Sequence, residues 1–291
     1  MLRAGMRNST ETMPITVRFA IWWSAHGIRG RGAIPRLIGQ WQDSDRSLSI
    51  KTRHGAILSV DYANFEVYAS IYNNGGCWDA NVMSCCERVL RPGDVFYDIG
   101  SNSGVIALDM AQTISDLTVF AFEPQPSLAK HIRRSIEANR FDRFKMLEVL
   151  LGNEEGEGSL FLTRYSIHAS VIPRERRYRE LRRPLRTLDG LIAAGKAAPP
   201  DVIKIDVEGS ELNVFKGAET MLKTYQPSIV FEADDNMKRM GYTADDIFSL
   251  LGKAAPYTFF LIDEAGVPGP VTRPYPLGNF LALSPRHNDR I

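Results

Sequence analysis

The chain has 291 residues and a formal net charge of +1, with 44% apolar and 24% charged residues. These values fit a globular chain with a sizeable core, and they exclude collagen, a coiled coil, a disordered chain and a disulfide scaffold. Near-neutral charge carries no signature for nucleic acid, and no run of ~18 apolar residues reads as a membrane span.

The leader, residues 1–49, is predicted as a basic helical extension. Residues 1–55 hold nine Lys/Arg against three Asp/Glu, whereas residues 56–291 hold 26 against 31. Phe19, Ile21, Trp22 and Trp23 are bracketed too closely by Arg18 and His26 for a signal peptide. A basic segment with two tryptophans suits packing on the main domain or weak contact with an anionic membrane surface. The remainder, 50–291, reads as one domain. Short strands are predicted over 50–72, with a turn at Gly55, followed by a helix over 79–90 that Arg91-Pro92-Gly93 ends. The three cysteines, Cys77, Cys85 and Cys86, include two neighbours that make an improbable bridge. They point to a reducing, cytoplasmic location and to packing.

From residue 93 to 284 strand and helix patterns alternate. Strands are predicted at 95–99, 117–122, 145–151, 159–163, 202–206, 228–231, 257–262 and 279–283. Helices are predicted at 106–114, 127–139, 211–224 and 243–251, the second with Leu128, Ile132 and Ile136 at spacing four. Such units build a Rossmann-like, doubly wound α/β fold with a mainly parallel sheet. The last two strands have only a Gly/Pro-rich link between them, which suits a C-terminal antiparallel hairpin.

In open α/β sheets ligands sit at the carboxyl ends of the strands. The first core strand runs into Asp98-Ile99-Gly100-Ser101-Asn102-Ser103-Gly104. Gly100 and Gly104 allow close backbone approach, and a helix N-terminus follows. There is no GxGxxG and no P-loop lysine. A carboxylate at this strand mouth repels a pyrophosphate but attracts a ligand carrying an ammonium and a sulfonium, such as S-adenosylmethionine. Glu123, before Pro124, ends the second strand 19 residues after Gly104, where an acid accepts both ribose hydroxyls. Asp206 and Glu232 end the fourth and fifth strands. Asp206, Glu232 and His168 are candidate bases for an acceptor hydroxyl. Asp206 also suits holding that hydroxyl. No second or third metal ligand stands out, so no metal is expected.

Seven arginines stand against two glutamates over 174–186. They suit either a solvated helix face or a lid over an anionic acceptor. Two other functional classes fit parts of the pattern: a nicotinamide-dependent oxidoreductase, which Asp98 and the missing GxGxxG oppose, and a non-catalytic nucleoside-binding or membrane-docking module.

The segments VFYDIGSNSG (95–104), FEP (122–124), TLD (187–189), IKIDVEGSE (203–211), KGA (216–218) and PSIVFE (227–232) follow in order. In this the chain resembles the FkbM family of S-adenosylmethionine-dependent methyltransferases over about 50–284. Ser101 stands where the family usually has Ala. The resemblance implies a seven-strand Rossmann-like sheet with the terminal hairpin, and O-methylation of a small hydroxylated acceptor such as a sugar or a polyketide-like natural product. It leaves the acceptor open, and a dimer stays open as well.

Overall fold

The computed structural model describes residues 47–61, 70–162, 171 and 179–291. The leader up to residue 46, His168, Arg174, Arg176 and Arg177 lie outside the described residues. In chain order, strands β1 (Ser47–Lys51) and β2 (Ile57–Asp61) precede helix α1 (Ala80–Val89). Then come β3 (Val95–Ile99), α2 (Val105–Thr113), β4 (Thr118–Phe122), α3 (Pro126–Asn139) and β5 (Phe144–Leu147). A side region follows, with β6 (Leu150–Leu151), β7 (Gly156–Leu162), β8 (Arg179–Arg186) and α4 (Leu188–Ala193). The chain returns through β9 (Val202–Ile205), α5 (Glu211–Lys216), α6 (Glu219–Tyr225), β10 (Ser228–Ala233), α7 (Asn236–Arg239) and α8 (Ala244–Ala254). It closes with β11 (Thr258–Ile262), β12 (Pro268–Pro270) and β13 (Gly278–Leu283).

The main sheet has the order β12-β11-β13-β10-β9-β3-β4-β5. From β10 to β5 every pairing is parallel; β13 lies antiparallel between β10 and β11. The expected seven strands are therefore present with their terminal hairpin, and the Gly/Pro-rich link adds an eighth, β12, on β11. The strand order reverses between β3 and β9, so a crevice opens at their carboxyl ends. Phe96, Val119 and Val202 face one core with α1 and α2, whereas Tyr97, Phe120 and Ile203 face the other with α5, α6 and α8. That alternation is the period-2 pattern of strands covered on both faces.

Three local readings change. Residues 145–151 are not one strand: β5 ends at Leu147, and Leu150 and Leu151 join a separate three-stranded sheet, β6-β8-β7. The predicted helix over 211–224 breaks at Gly217, because this residue lies against the side region. A Cβ on Gly217 would stand 2.0 Å from the Gly152 carbonyl oxygen. The described part of the arginine stretch is strand β8, not a helix face. It pairs antiparallel with β7, where alternation along the strand separates its charges.

The TLD and KGA segments hold this side region to the core. Thr187 caps α4 by accepting from the Gly190 N–H, and Asp189 caps α6 through the Thr220 and Met221 N–H groups at 2.9 and 2.8 Å. The β1–β2 hairpin docks on α3, where Asn139 bonds both the N–H and the carbonyl of Ile57 at 2.7 Å. Cys77, Cys85 and Cys86 are buried, and burial pushes the Cys85 thiol up to about 12, consistent with packing. Among the described residues no helix is long and apolar enough to cross a membrane.

Candidate active site

The turn after β3 is built by three positive-φ residues, Gly100 (74°), Asn102 (51°) and Gly104 (79°). Gly100 has no substitute there, since a Cβ would meet the Asp206 carbonyl oxygen at 1.9 Å. β9 lies beside β3, as its position in the sequence suggested, and Asp98 is in register with Lys204. Ser101, the departure from the family's usual Ala, donates its hydroxyl to the Asp98 carbonyl at 2.6 Å and staples the turn. Glu123 pins the turn from the other side: it accepts from the Asn102 N–H and the Gln125 N–H, both at 2.9 Å. The Gln125 side chain bonds it as well, and burial raises Glu123 to about 7 against these three bonds.

A cavity opens over this turn. Gly100, Ser101, Asn102, Glu123, Pro124 and Asp206 line it, so most of the predicted cofactor residues converge there. Asp98 does not line it. Its carboxylate is 1% exposed and stands 3.5 Å from the Lys204 ammonium. The charge that seemed available to a ligand is thus balanced from within. Lys204 also stands 3.7 Å from Asp206. Burial alone lowers the lysine, but Asp98, Asp206 and Asp79 outweigh it and hold Lys204 firmly protonated. A lysine inside an otherwise apolar, fully buried parallel strand is paired for this reason.

Asp206 follows the last residue of β9, and the chain then turns sharply through Glu208 (φ 57°) and Gly209 (φ 96°). Alternation ends here, so Glu208 does not continue the strand face. Buried Glu211 accepts from the Val207 N–H at 2.9 Å and the Gly209 N–H at 3.3 Å, and the Tyr242 hydroxyl donates to the Gly209 carbonyl at 2.7 Å. The turn presents Asp206, Glu208 and Ser210 to the cavity.

Glu232, near the end of β10, lines a second, smaller cavity with Asp79, Asn279, Asp206 and Lys204. The last two residues line both cavities, so the two adjoin. Burial raises Glu232 to about 8, with Asp206, Asp234, Asp79 and Glu208 adding to it. Of the three candidate bases, Asp206 and Glu232 are brought together. The third, His168, lies outside the described residues.

The residues test well against a nucleoside-bearing ligand. Two buried polar atoms on the cavity wall, Asn102 Oδ1 and Ser210 Oγ, have no hydrogen-bond partner among the described residues. The Gly100 cradle brings bare backbone to the cavity. Trp78, Val149, Leu150, Leu151, Leu160 and Val171 supply an apolar wall for a flat ring. Sequence reasoning missed that wall and Ser210. Apolar residues in loops carry no signal of their own, whereas Ser210 stood beside the most specific motif.

The family model described as "Methyltransferase FkbM domain" matches residues 98–259, more than half of the chain. The chain belongs to the FkbM methyltransferase family. It is an S-adenosylmethionine-dependent methyltransferase, which sets aside the nicotinamide reading. Among similar proteins, "Hexuronic acid methyltransferase AglP" of Haloferax volcanii is 29% identical over 207 residues, 63% of this chain and 77% of that protein. "Methyltransferase 1" of Beauveria bassiana is 23% identical over 194 residues, 59% of this chain and 72% of that protein. The crystal structure of a methyltransferase FkbM from Methylobacillus flagellatus KT aligns with a TM-score of 0.44 at 16% identity. That alignment covers 90% of this chain but 60% of that longer one.

Proposed function

We propose that this methyltransferase transfers the methyl group of S-adenosylmethionine to a hydroxyl oxygen of a small hydroxylated acceptor, a sugar or a polyketide-like natural product. The similarity to a protein named for hexuronic acid methylation supports a sugar. The larger cavity holds the donor: Glu123 takes the ribose hydroxyls, the turn at 100–104 approaches with bare backbone, and Asn102 Oδ1 and Ser210 Oγ gain the partners they lack. When bound, the donor supplies an electrophilic methyl on a sulfonium, and its sulfur keeps the bonding pair as a neutral thioether when the acceptor oxygen forms the new C–O bond. The protein's task is alignment, plus removal of the acceptor's proton.

One observation carries the reading. In the smaller cavity, which Asp206 also lines, stands Glu232, a half-buried carboxyl with no hydrogen-bond or ion-pair partner among the described residues, whose proton affinity is held near neutrality. Asp206, shared by both cavities, positions the hydroxyl, and the Glu232 carboxylate takes its proton. A base must be ionised to act, so kcat/KM rises with pH and levels off above about 8. Glu232→Gln is expected to lower kcat by about 10²–10⁴-fold. It should also abolish that rise and leave the affinity for S-adenosylhomocysteine unchanged. If His168→Ala abolishes the rise while Glu232→Gln keeps it, the base is His168 and this assignment fails.

A further inference from the structure

The charge of the junction restricts the acceptor. Asp79, Asp206 and Glu232 face the smaller cavity, and Asp206 and Glu208 face the larger one. Among the described residues Lys204 is the one cation lining either cavity, and it is already matched by Asp98 at 3.5 Å and Asp206 at 3.7 Å. Of the four described arginines that were candidates for holding an anion, three are engaged elsewhere. Arg182 pairs with Glu157, Arg183 with Glu148 and Arg186 with Glu155, and none lines either cavity. An acceptor carboxylate or phosphate entering here would meet carboxyl groups with no counter-ion left for it among the described residues.

The same groups suit hydroxyls and amines. Carboxylates accept from neighbouring hydroxyl groups, and an amide both donates and accepts. The side chains of Glu232 and Asn279 have no hydrogen-bond or ion-pair partner among the described residues, so both are free to bind.

We infer that the acceptor is a hydroxyl-rich molecule without negative charge, a neutral or amine-bearing polyol, held by Asp206, Glu232, Asp79 and Asn279. This rests on the transfer reading above, and it departs from the hexuronic acid named for the Haloferax protein. The test uses the full chain saturated with S-adenosylhomocysteine and titrated with glucose, glucosamine and glucuronate, read by ligand-observed NMR. Glucosamine is expected to bind at least as well as glucose, and glucuronate about tenfold or more weaker than glucosamine. Asp79→Asn, at an exposed position, should narrow that gap. Tightest binding of glucuronate, equal binding of all three, or no binding of any overturns the inference. Failure of S-adenosylhomocysteine itself to bind sinks the cofactor site instead. Methylation of glucosamine on nitrogen refutes the oxygen reading while leaving the charge preference intact.

Discussion

The two ends of the central strands carry buried polar clusters of opposite character. At the amino ends, Asp94 precedes β3, Asp201 precedes β9 and Ser228 opens β10. Asp94 accepts from the Arg91 N–H at 2.9 Å and pairs with Arg290. Asp201 accepts from the Val95 N–H at 2.9 Å. Ser228 Oγ meets His287 Nδ1 at 2.8 Å and accepts from the Ser284 N–H at 3.0 Å. Burial, with Arg290 and Arg286 adding to it, lowers His287 to about 4 and keeps the ring neutral. At the carboxyl ends the reverse holds. Of the buried side-chain atoms without a partner among the described residues, Asn102 Oδ1 and Ser210 Oγ stand on the cavity wall. A polar network that serves folding matches its members to one another, whereas one that serves a ligand leaves positions unmatched and proton affinities displaced.

The hardest way to break the contrast is at Gly100. Alanine there requires φ near +74° and overlaps the Asp206 carbonyl, so the β3 and β9 ends must separate. Gly100→Ala is expected to cost about 4 kcal/mol or more, or to prevent folding. Denaturant melts measure this, and any folded fraction should have lost S-adenosylhomocysteine binding by calorimetry. Retained stability and binding would show that the turn tolerates a side chain.

Glu123→Gln sharpens the contrast through pH. In the folded protein the Glu123 carboxyl, at about 7, holds its proton more tightly than the ordinary 4.5 of the unfolded chain. Its contribution therefore weakens the wild type as pH rises from 4.5 towards 7. The loss amounts to about 3 kcal/mol. The glutamine variant lacks this contribution. The wild-type advantage over it, measured by urea unfolding at pH 5 and pH 8, should shrink by about that amount. A pH-independent difference would show that Glu123 ionises normally.

The finest comparison sets two buried serines side by side. Ser228→Ala strands His287 Nδ1 and the Ser284 N–H and should cost about 1–3 kcal/mol, with cofactor affinity unchanged. Ser210→Ala removes a hydroxyl that bonds nothing among the described residues, so stability should change by less than about 0.5 kcal/mol. In that variant the affinity for S-adenosylhomocysteine or for the acceptor should fall instead. Equal stability losses in the two variants would remove the distinction between the clusters.

Much of the site was legible from strand-end logic. Gly100, Asn102, Gly104, Glu123, Asp206 and Glu232 stand at the carboxyl ends of successive parallel strands or in the turns that follow, and parallel strands gather such ends on one edge of the sheet. Less legible was what each acid does once there. Asp98 looked like a counter-charge for a ligand and is instead matched by Lys204 from the neighbouring strand. Glu123 spends one lone pair of each oxygen on the turn itself. The described part of the arginine run looked like a helix face because its charge density hid a strand pattern that becomes visible only beside β7.

Local rules acting within a few residues, such as hydrophobic period, turn glycines and the acid closing each strand, were enough to determine the α/β class and the terminal hairpin, and the ordered motifs carried the resemblance to the family. Tertiary structure decided the pairing of Lys204 with Asp98 and Asp206, the sharing of Asp206 between two cavities and the attachment of Leu150 and Leu151 to a separate sheet. It also decided which buried oxygens went unmatched. Those outcomes depend on which distant strand lies alongside and in what register, and a charge buried by a neighbour 100 residues away leaves no trace in its own segment.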